Sequence, residues 1–231
     1  MTATYRGYTF EQIAKTLDHS VLKPDVTSAD IEAGAAIAAK YDTASYCVQG
    51  VNIAQAAKLL AGTKVPVCAT VGFPHGAITT AAKAFEAAEA TKNGATEVDM
   101  VISVGSLIGG QDDLVEADIR EVAKAAHAGG AHLKVILETS LLTAEQIVRG
   151  CELAEKAGAD FVKTSTGFGS AGATLENIKL MKATVGDRLR VKASGGVRTV
   201  DQVIDFIEAG VSRCGTSNAE AILLEFNEQA S

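Results

Sequence analysis

The chain has 231 residues, 47% of them hydrophobic and 21% charged, with a formal charge of −7. Too much of it is apolar for a disordered chain, and its scattered Lys and Arg residues form no basic stripe for nucleic acid. No run approaches the roughly 20 apolar residues of a membrane span. Residues 1–10 show no apolar leader, and Cys47, Cys68, Cys151 and Cys214 lie too far apart for a zinc CxxC pair or a disulfide scaffold. A cytoplasmic protein with reduced thiols is expected, without a nucleic-acid or membrane partner.

From about residue 28, Ala-rich amphipathic segments alternate with short β-branched runs, and no Pro-rich or Ser-rich linker interrupts them. The pattern predicts strands at 16–19, 44–48, 65–71, 96–102, 132–138, 160–163, 190–194 and 211–214. Helices are predicted at 28–40, 53–61, 79–93, 114–128, 143–157, 175–184, 200–209 and 217–228. Gly94, Gly158 and Gly210 stand just before strands, where a left-handed residue ends a helix without steric strain. Eight strand–helix pairs describe an α/β fold, a single (β/α)8 TIM barrel domain over residues 1–231, with its working face at the strands' carboxyl ends. A doubly wound sheet would normally carry G-x-G-x-x-G after an early strand, and none follows here.

Asp160-Phe161-Val162-Lys163 drives an apolar strand into a lysine, followed by Thr164-Ser165-Thr166-Gly167-Phe168-Gly169. Such a lysine is either a solvated strand end or, when buried, an amine whose neutral form attacks a carbonyl carbon. Alternation groups Glu97 with Asp99, Lys134 with His132, Ile136 and Glu138, and Lys192 with Arg190 and Ser194. Lys134, Lys163 and Lys192 are expected to meet Asp18, Asp99 and Glu138. The cluster reads both as an ion network bracing the barrel mouth and as a site where crowding of Lys163 and Lys192 leaves one amine neutral.

After the seventh predicted strand comes Ser194-Gly195-Gly196-Val197-Arg198-Thr199, and after the eighth Gly215-Thr216-Ser217-Asn218. In a barrel these loops are neighbours, and with Gly167 their backbone NH groups and hydroxyls form a cup for a phosphate. Arg198 offers its charge to the ligand or to a nearby carboxylate. His19, His75, His127 and His132 show no HxH or HExxH spacing, which argues against a catalytic zinc. Cys47, ending the second predicted strand, either points into the site or is a buried thiol. His75 either approaches substrate or is an ordinary turn residue.

Four blocks, Glu97-Val98-Asp99-Met100-Val101, Lys134-Val135-Ile136-Leu137-Glu138-Thr139, Phe161-Val162-Lys163-Thr164-Ser165-Thr166-Gly167-Phe168 and Val191-Lys192-Ala193-Ser194-Gly195-Gly196-Val197-Arg198-Thr199, together resemble the deoxyribose-phosphate aldolase family. The likeness runs from Leu17-Asp18-His19-Ser20-Val21-Leu22-Lys23-Pro24 through the Gly215 loop. It implies a (β/α)8 fold and an aldolase that works through a lysine imine with no metal and no cofactor. By that resemblance Lys163 is the imine-forming lysine, Lys192 the second lysine that favours its neutral form, and Asp99 the carboxylate of a proton relay. Gly167, Gly195, Gly196, Gly215, Ser217 and Asn218 match family phosphate contacts, and Asp18, Cys47, Lys134 and Thr166 are expected on the substrate side. The implied substrate is the small-molecule phosphosugar 2-deoxy-D-ribose 5-phosphate, split between C2 and C3 into D-glyceraldehyde 3-phosphate and acetaldehyde. The family also suggests a homodimer.

The chain departs from the family pattern in places. Cys47-Val48-Gln49-Gly50 stands where relatives have Cys-Val-Asn-Pro, Asn218 replaces a common serine, and the end, Asn227-Glu228-Gln229-Ala230-Ser231, lacks the tyrosine some members use. Two rivals use the same residues: a phosphosugar isomerase, which forms no trappable imine, and a phosphosugar-binding barrel without turnover.

Overall fold

The computed structural model describes residues 3–230; Met1, Thr2 and Ser231 of the expected 1–231 domain lie outside the described residues. Eight parallel strands close into a barrel in sequence order. They are Leu17–Val21, Ser45–Val48, Val67–Val71, Glu97–Val101, His132–Ile136, Phe161–Lys163, Arg190–Ser194 and Arg213–Thr216. The last pairs with the first, Gly215 opposite Asp18 and Thr216 opposite His19, so the sheet keeps no open edge. The helices Ser28–Tyr41, Ile53–Leu59, Thr80–Lys92, Asp112–Ala128, Ala144–Lys156, Leu175–Val185, Val200–Glu208 and Ala219–Gln229 follow the strands in turn. The fold is the expected (β/α)8 barrel.

Local chemistry sets these boundaries. Thr27, Thr143 and Thr199 each accept from the third helical residue's NH, while that residue's side chain returns a bond, satisfying two otherwise unpaired donors. At the other ends Gly94, Gly158 and Gly210 adopt φ of 106, 87 and 102°. The residue after each reaches back into its helix, Ala95 to Ala90, Ala159 to Ala154 and Val211 to Phe206. That closure accounts for one difference from the sequence pattern. The strand expected at 211–214 is Arg213–Thr216, because Val211 NH is still bonded to the preceding helix.

Alternation divides the barrel wall. Val98, Met100, Leu133, Val135, Val162 and Val191 face the helices within the main apolar core, each side chain stabilising the fold by roughly 1.5–3 kcal/mol. Their neighbours Asp18, Glu97, Asp99, Lys134, Lys163 and Lys192 are buried in the lumen. A lumen normally packed with Val, Ile and Leu is therefore charged here, which is tolerable only if the charges are paired.

The sequence pattern did not reveal the amino-terminal structure. Thr4–Tyr5 and Tyr8–Thr9 form a hairpin across Arg6 (φ 49°) and Gly7 (φ 85°), the left-handed pair of a tight hairpin turn, and the helix Phe10–Ala14 follows. Tyr5 and Phe10 pack edge-on against Phe226, with ring centroids 6.4 and 5.9 Å away. Arg6 pairs with Asp201, Asp205 and Glu208. Among the described residues no helix is long and apolar enough to cross a membrane.

Candidate active site

Lys163 ends the sixth barrel strand, and Lys192 is its direct partner across the ladder in the seventh. Both ammonium groups reach one oxygen, Asp99 Oδ2, at 2.7 and 2.8 Å. Asp99 Oδ1 accepts from Lys134 Nζ at 2.8 Å and from Cys68 Sγ at 3.1 Å. Lys134 also meets Glu97 at 2.6 Å, and Lys192 meets Asp18 at 2.5 Å. Arg213 joins Asp18 to Glu97, at 2.5 and 2.8 Å.

Four cations thus face three almost wholly buried carboxylates. Burial pushes the Asp99 carboxyl up, but Lys134, Lys163 and Lys192 outweigh it and hold Asp99 well below the usual carboxylate range. Asp18 is held low in the same way by Lys192, Lys134 and Arg213. Burial works against the charge on Lys192, yet Asp18 and Asp99 raise it above an ordinary lysine. Lys192 is therefore a fixed cation beside Lys163. Among the described residues Lys134 and Lys192 each touch more than one carboxylate, whereas Lys163 touches Asp99 alone.

Glu138 is not part of this cluster, contrary to expectation. Its strand ends at Ile136 and Glu138 itself is left-handed, φ 57° and ψ 61°, so alternation no longer carries it inward. Its carboxylate instead accepts from Thr166 N and Oγ1, at 3.2 and 2.5 Å. Glu97 takes the place expected for it. Glu97, Arg213 and Cys68 are the members sequence reasoning missed. Glu97 shares Asp99's face, which was the available signal, but Arg213 becomes legible only once it is registered against Lys192.

A cavity of about 580 Å³ opens over the cluster. Lys163, Lys192, Cys47 and Thr166 line it, and so do all six residues of the expected cup: Gly167, Gly195, Gly196, Gly215, Ser217 and Asn218. Asp18, Lys134 and Asp99 do not line it; each is wholly buried. This corrects the expectation that Asp18 and Lys134 lie on the substrate side. Gly167, Gly195 and Gly196 have φ of 86, 84 and 77°, a conformation that side chains strain. Asn218 stands at the N-cap of Ala219–Gln229 without a side-chain cap bond, so the cup sits where a helix start favours an anion.

Cys47 satisfies both of its readings, lining the cavity while buried. It faces Cys68 across the ladder. Hydrogen bonding with Cys68 lowers the Cys47 thiol, against burial, while burial and the same bond push Cys68 up. Cys47, Cys68 and Asp99 place ligand atoms within 4.8 Å of one another. Three ammonium groups already hold Asp99, however, and their charge repels a metal cation.

The family model for DeoC/LacD family aldolases matches residues 12–217, a span that includes every barrel strand. The chain belongs to this family. A deoxyribose-phosphate aldolase of Bacillus cytotoxicus is 55% identical over 212 residues, covering 92% of this chain and 95% of the relative. One of Geobacillus sp. is 54% identical over 211 residues, covering 91% and 94%. Among solved structures, the tetrameric deoxyribose phosphate aldolase of Aeropyrum pernix superposes with a TM-score of 0.89 at 29% identity, covering 95% of this chain and 92% of that one. A Coccidioides immitis chain solved as a candidate deoxyribose-phosphate aldolase gives 0.93 at 41% identity, covering 97% and 89%.

Within this DeoC/LacD barrel the Gln49-Gly50 departure forms a defined loop. Gln49 Nε2 donates to Leu22 O at 2.9 Å, and Gly50 opens the 3-10 turn Gly50–Asn52. His75 lines a second cavity, of about 570 Å³, that holds none of the clustered charges. Leu22 and Phe168 are common to both cavities.

Proposed function

We propose that this chain is a deoxyribose-phosphate aldolase, reversibly cleaving 2-deoxy-D-ribose 5-phosphate to D-glyceraldehyde 3-phosphate and acetaldehyde through an imine on Lys163. The observation that carries this reading is a cavity-facing Lys163 that shares Asp99 Oδ2 with the fixed cation Lys192. Imine formation needs a neutral amine. Lys163 meets a single carboxylate among the described residues and has an open face toward substrate, so its amine is the one placed to attack.

Lys163 Nζ adds to the C1 aldehyde of the open-chain sugar, and loss of water leaves a protonated imine. The C3 hydroxyl then gives up its proton, the C2–C3 electron pair moves into the imine, and glyceraldehyde 3-phosphate departs with a new carbonyl at the former C3. The remaining enamine takes a proton at its terminal carbon, and water hydrolyses the imine to acetaldehyde and free Lys163. Asp99 lies beneath the cavity and is held strongly acidic. It therefore does not store the C3 proton but passes it to a bound water, from which a proton returns to the enamine's terminal carbon. The glycine cup, with Ser217 and Asn218, takes the phosphate.

The 54–55% identity to relatives named for this reaction supports the assignment. The reading treats the chain as one domain working in the cytoplasm as a homodimer, for which the family resemblance is the support. Acetaldehyde release from 2-deoxyribose 5-phosphate in the presence of a chelator tests the reaction. The parent should release it, and Lys163→Ala should lose at least about a thousandfold in rate. Borohydride with acetaldehyde should add a reduced two-carbon group at Lys163. Substrate consumed with neither acetaldehyde nor this adduct would transfer the assignment to an isomerase.

A further inference from the structure

Glu138 is a buried carboxylate outside the charge cluster, and it has no salt-bridge partner among the described residues. Its backbone is left-handed, φ 57°, a conformation unfavourable for a side chain of this kind. Two features show where that strained carboxylate acts. Glu138 Oε2 takes both the NH and the hydroxyl of Thr166, and Thr166 Oγ1 in turn accepts from Phe168 N at 3.0 Å. The loop after the sixth strand is therefore clamped on both sides of Gly167.

Gly167 is the cup residue of that loop, and its backbone lies directly against the next loop: a Cβ on Gly195 would fall 3.5 Å from Gly167 Cα. The neighbouring backbone is stitched in the same direction, since Thr139 N donates to Thr164 O at 2.9 Å. A contact chain thus runs from Glu138 through Thr166 and Gly167 to Gly195. Glu138 itself does not line the cavity.

We infer that Glu138 is a positioning residue for phosphate recognition, holding Gly167 against Gly195 through its two bonds to Thr166. This rests on the proposed reaction, in which the cup binds the sugar phosphate. Because the clamp acts on the cup and not on Lys163, its loss falls on phosphorylated substrate more than on the bare sugar.

The test compares kcat/KM for 2-deoxyribose 5-phosphate with that for 2-deoxyribose in the parent and in Glu138→Ala and Glu138→Gln. The ratio should fall about tenfold in Glu138→Ala, chiefly through a higher KM. Glu138→Gln keeps an oxygen acceptor for Thr166 and should restore the ratio to within about threefold of the parent. Borohydride trapping of acetaldehyde on Lys163 should persist in both. Should Glu138→Ala fail to fold, Glu138→Asp, whose carboxylate is too short to reach Thr166 in the same way, is expected to lower the ratio instead. Equal losses on both substrates would overturn the inference, because they would mark Glu138 as merely structural. A parent that cleaves neither substrate would instead remove the underlying reaction.

Discussion

Asp18 and His19 are consecutive on the first barrel strand, and alternation sends them to opposite environments. Asp18 enters the lumen and finds Lys192 and Arg213. His19 turns outward, stacks on Tyr46 with ring centroids 5.8 Å apart, and has no hydrogen-bond partner at either ring nitrogen among the described residues. Burial pulls His19 down to about 4, with Glu220 opposing. Folded His19 is thus neutral through the range where an unfolded histidine, near pH 6.5, takes up its proton. The stability it contributes is fully present above about pH 6.5 and is lost as the pH falls toward 4, by roughly 3 kcal/mol in all. Urea unfolding at about pH 7, 5.5 and 4 should show this decline in the parent and a much shallower one in His19→Phe. The two proteins declining in parallel would clear His19 as the cause. The pairing of Lys163 with Lys192 was legible from strand pattern, whereas Glu138 was misplaced because the strand ends at Ile136, two residues before the predicted run does.

At the scale of elements, the site is made by loops that touch edge to edge. Ala173 N donates to Ser194 O at 3.0 Å and Gly195 O at 3.2 Å, bringing the loop after the sixth strand onto the cup. That approach depends on Gly172, where a Cβ would fall 2.0 Å from Gly195 O. The obstacle is backbone, which cannot swing aside as a side-chain tip can. Gly172→Ala should therefore push the two loops apart, raising KM for the phosphorylated substrate about tenfold and lowering stability by roughly 1–3 kcal/mol. Steady-state kinetics beside chemical denaturation would check both, and an unchanged KM would show that the cup does not need this contact. The Gly195-Gly196 pair was readable as part of an anion cup from its place after the seventh predicted strand. Gly172 was not, because what excludes its side chain comes from another loop.

For the whole molecule, the amino-terminal hairpin is a latch on the last helix. Phe226 is 1% exposed and takes the edges of Tyr5 and Phe10. It lies off the cavity over the charge cluster. Phe226→Ala should cost about 3–5 kcal/mol and lower the melting temperature while leaving KM for the phosphosugar unchanged. A thermal melt paired with substrate titration separates the two effects, and a KM that moved with stability would tie the latch to the site. The hairpin escaped the sequence reading because its strands are two residues each, too short for any periodicity to register.

Periodicity and helix punctuation alone determined the alternation of strands and helices and the placing of Lys163, Lys192 and Asp99 on separate strands, because both are local properties of the chain. Tertiary structure decided which charges complete the cluster. Membership there depends on register between strands far apart in sequence, and so Glu97 and Arg213 entered while Glu138 turned to a neighbouring loop.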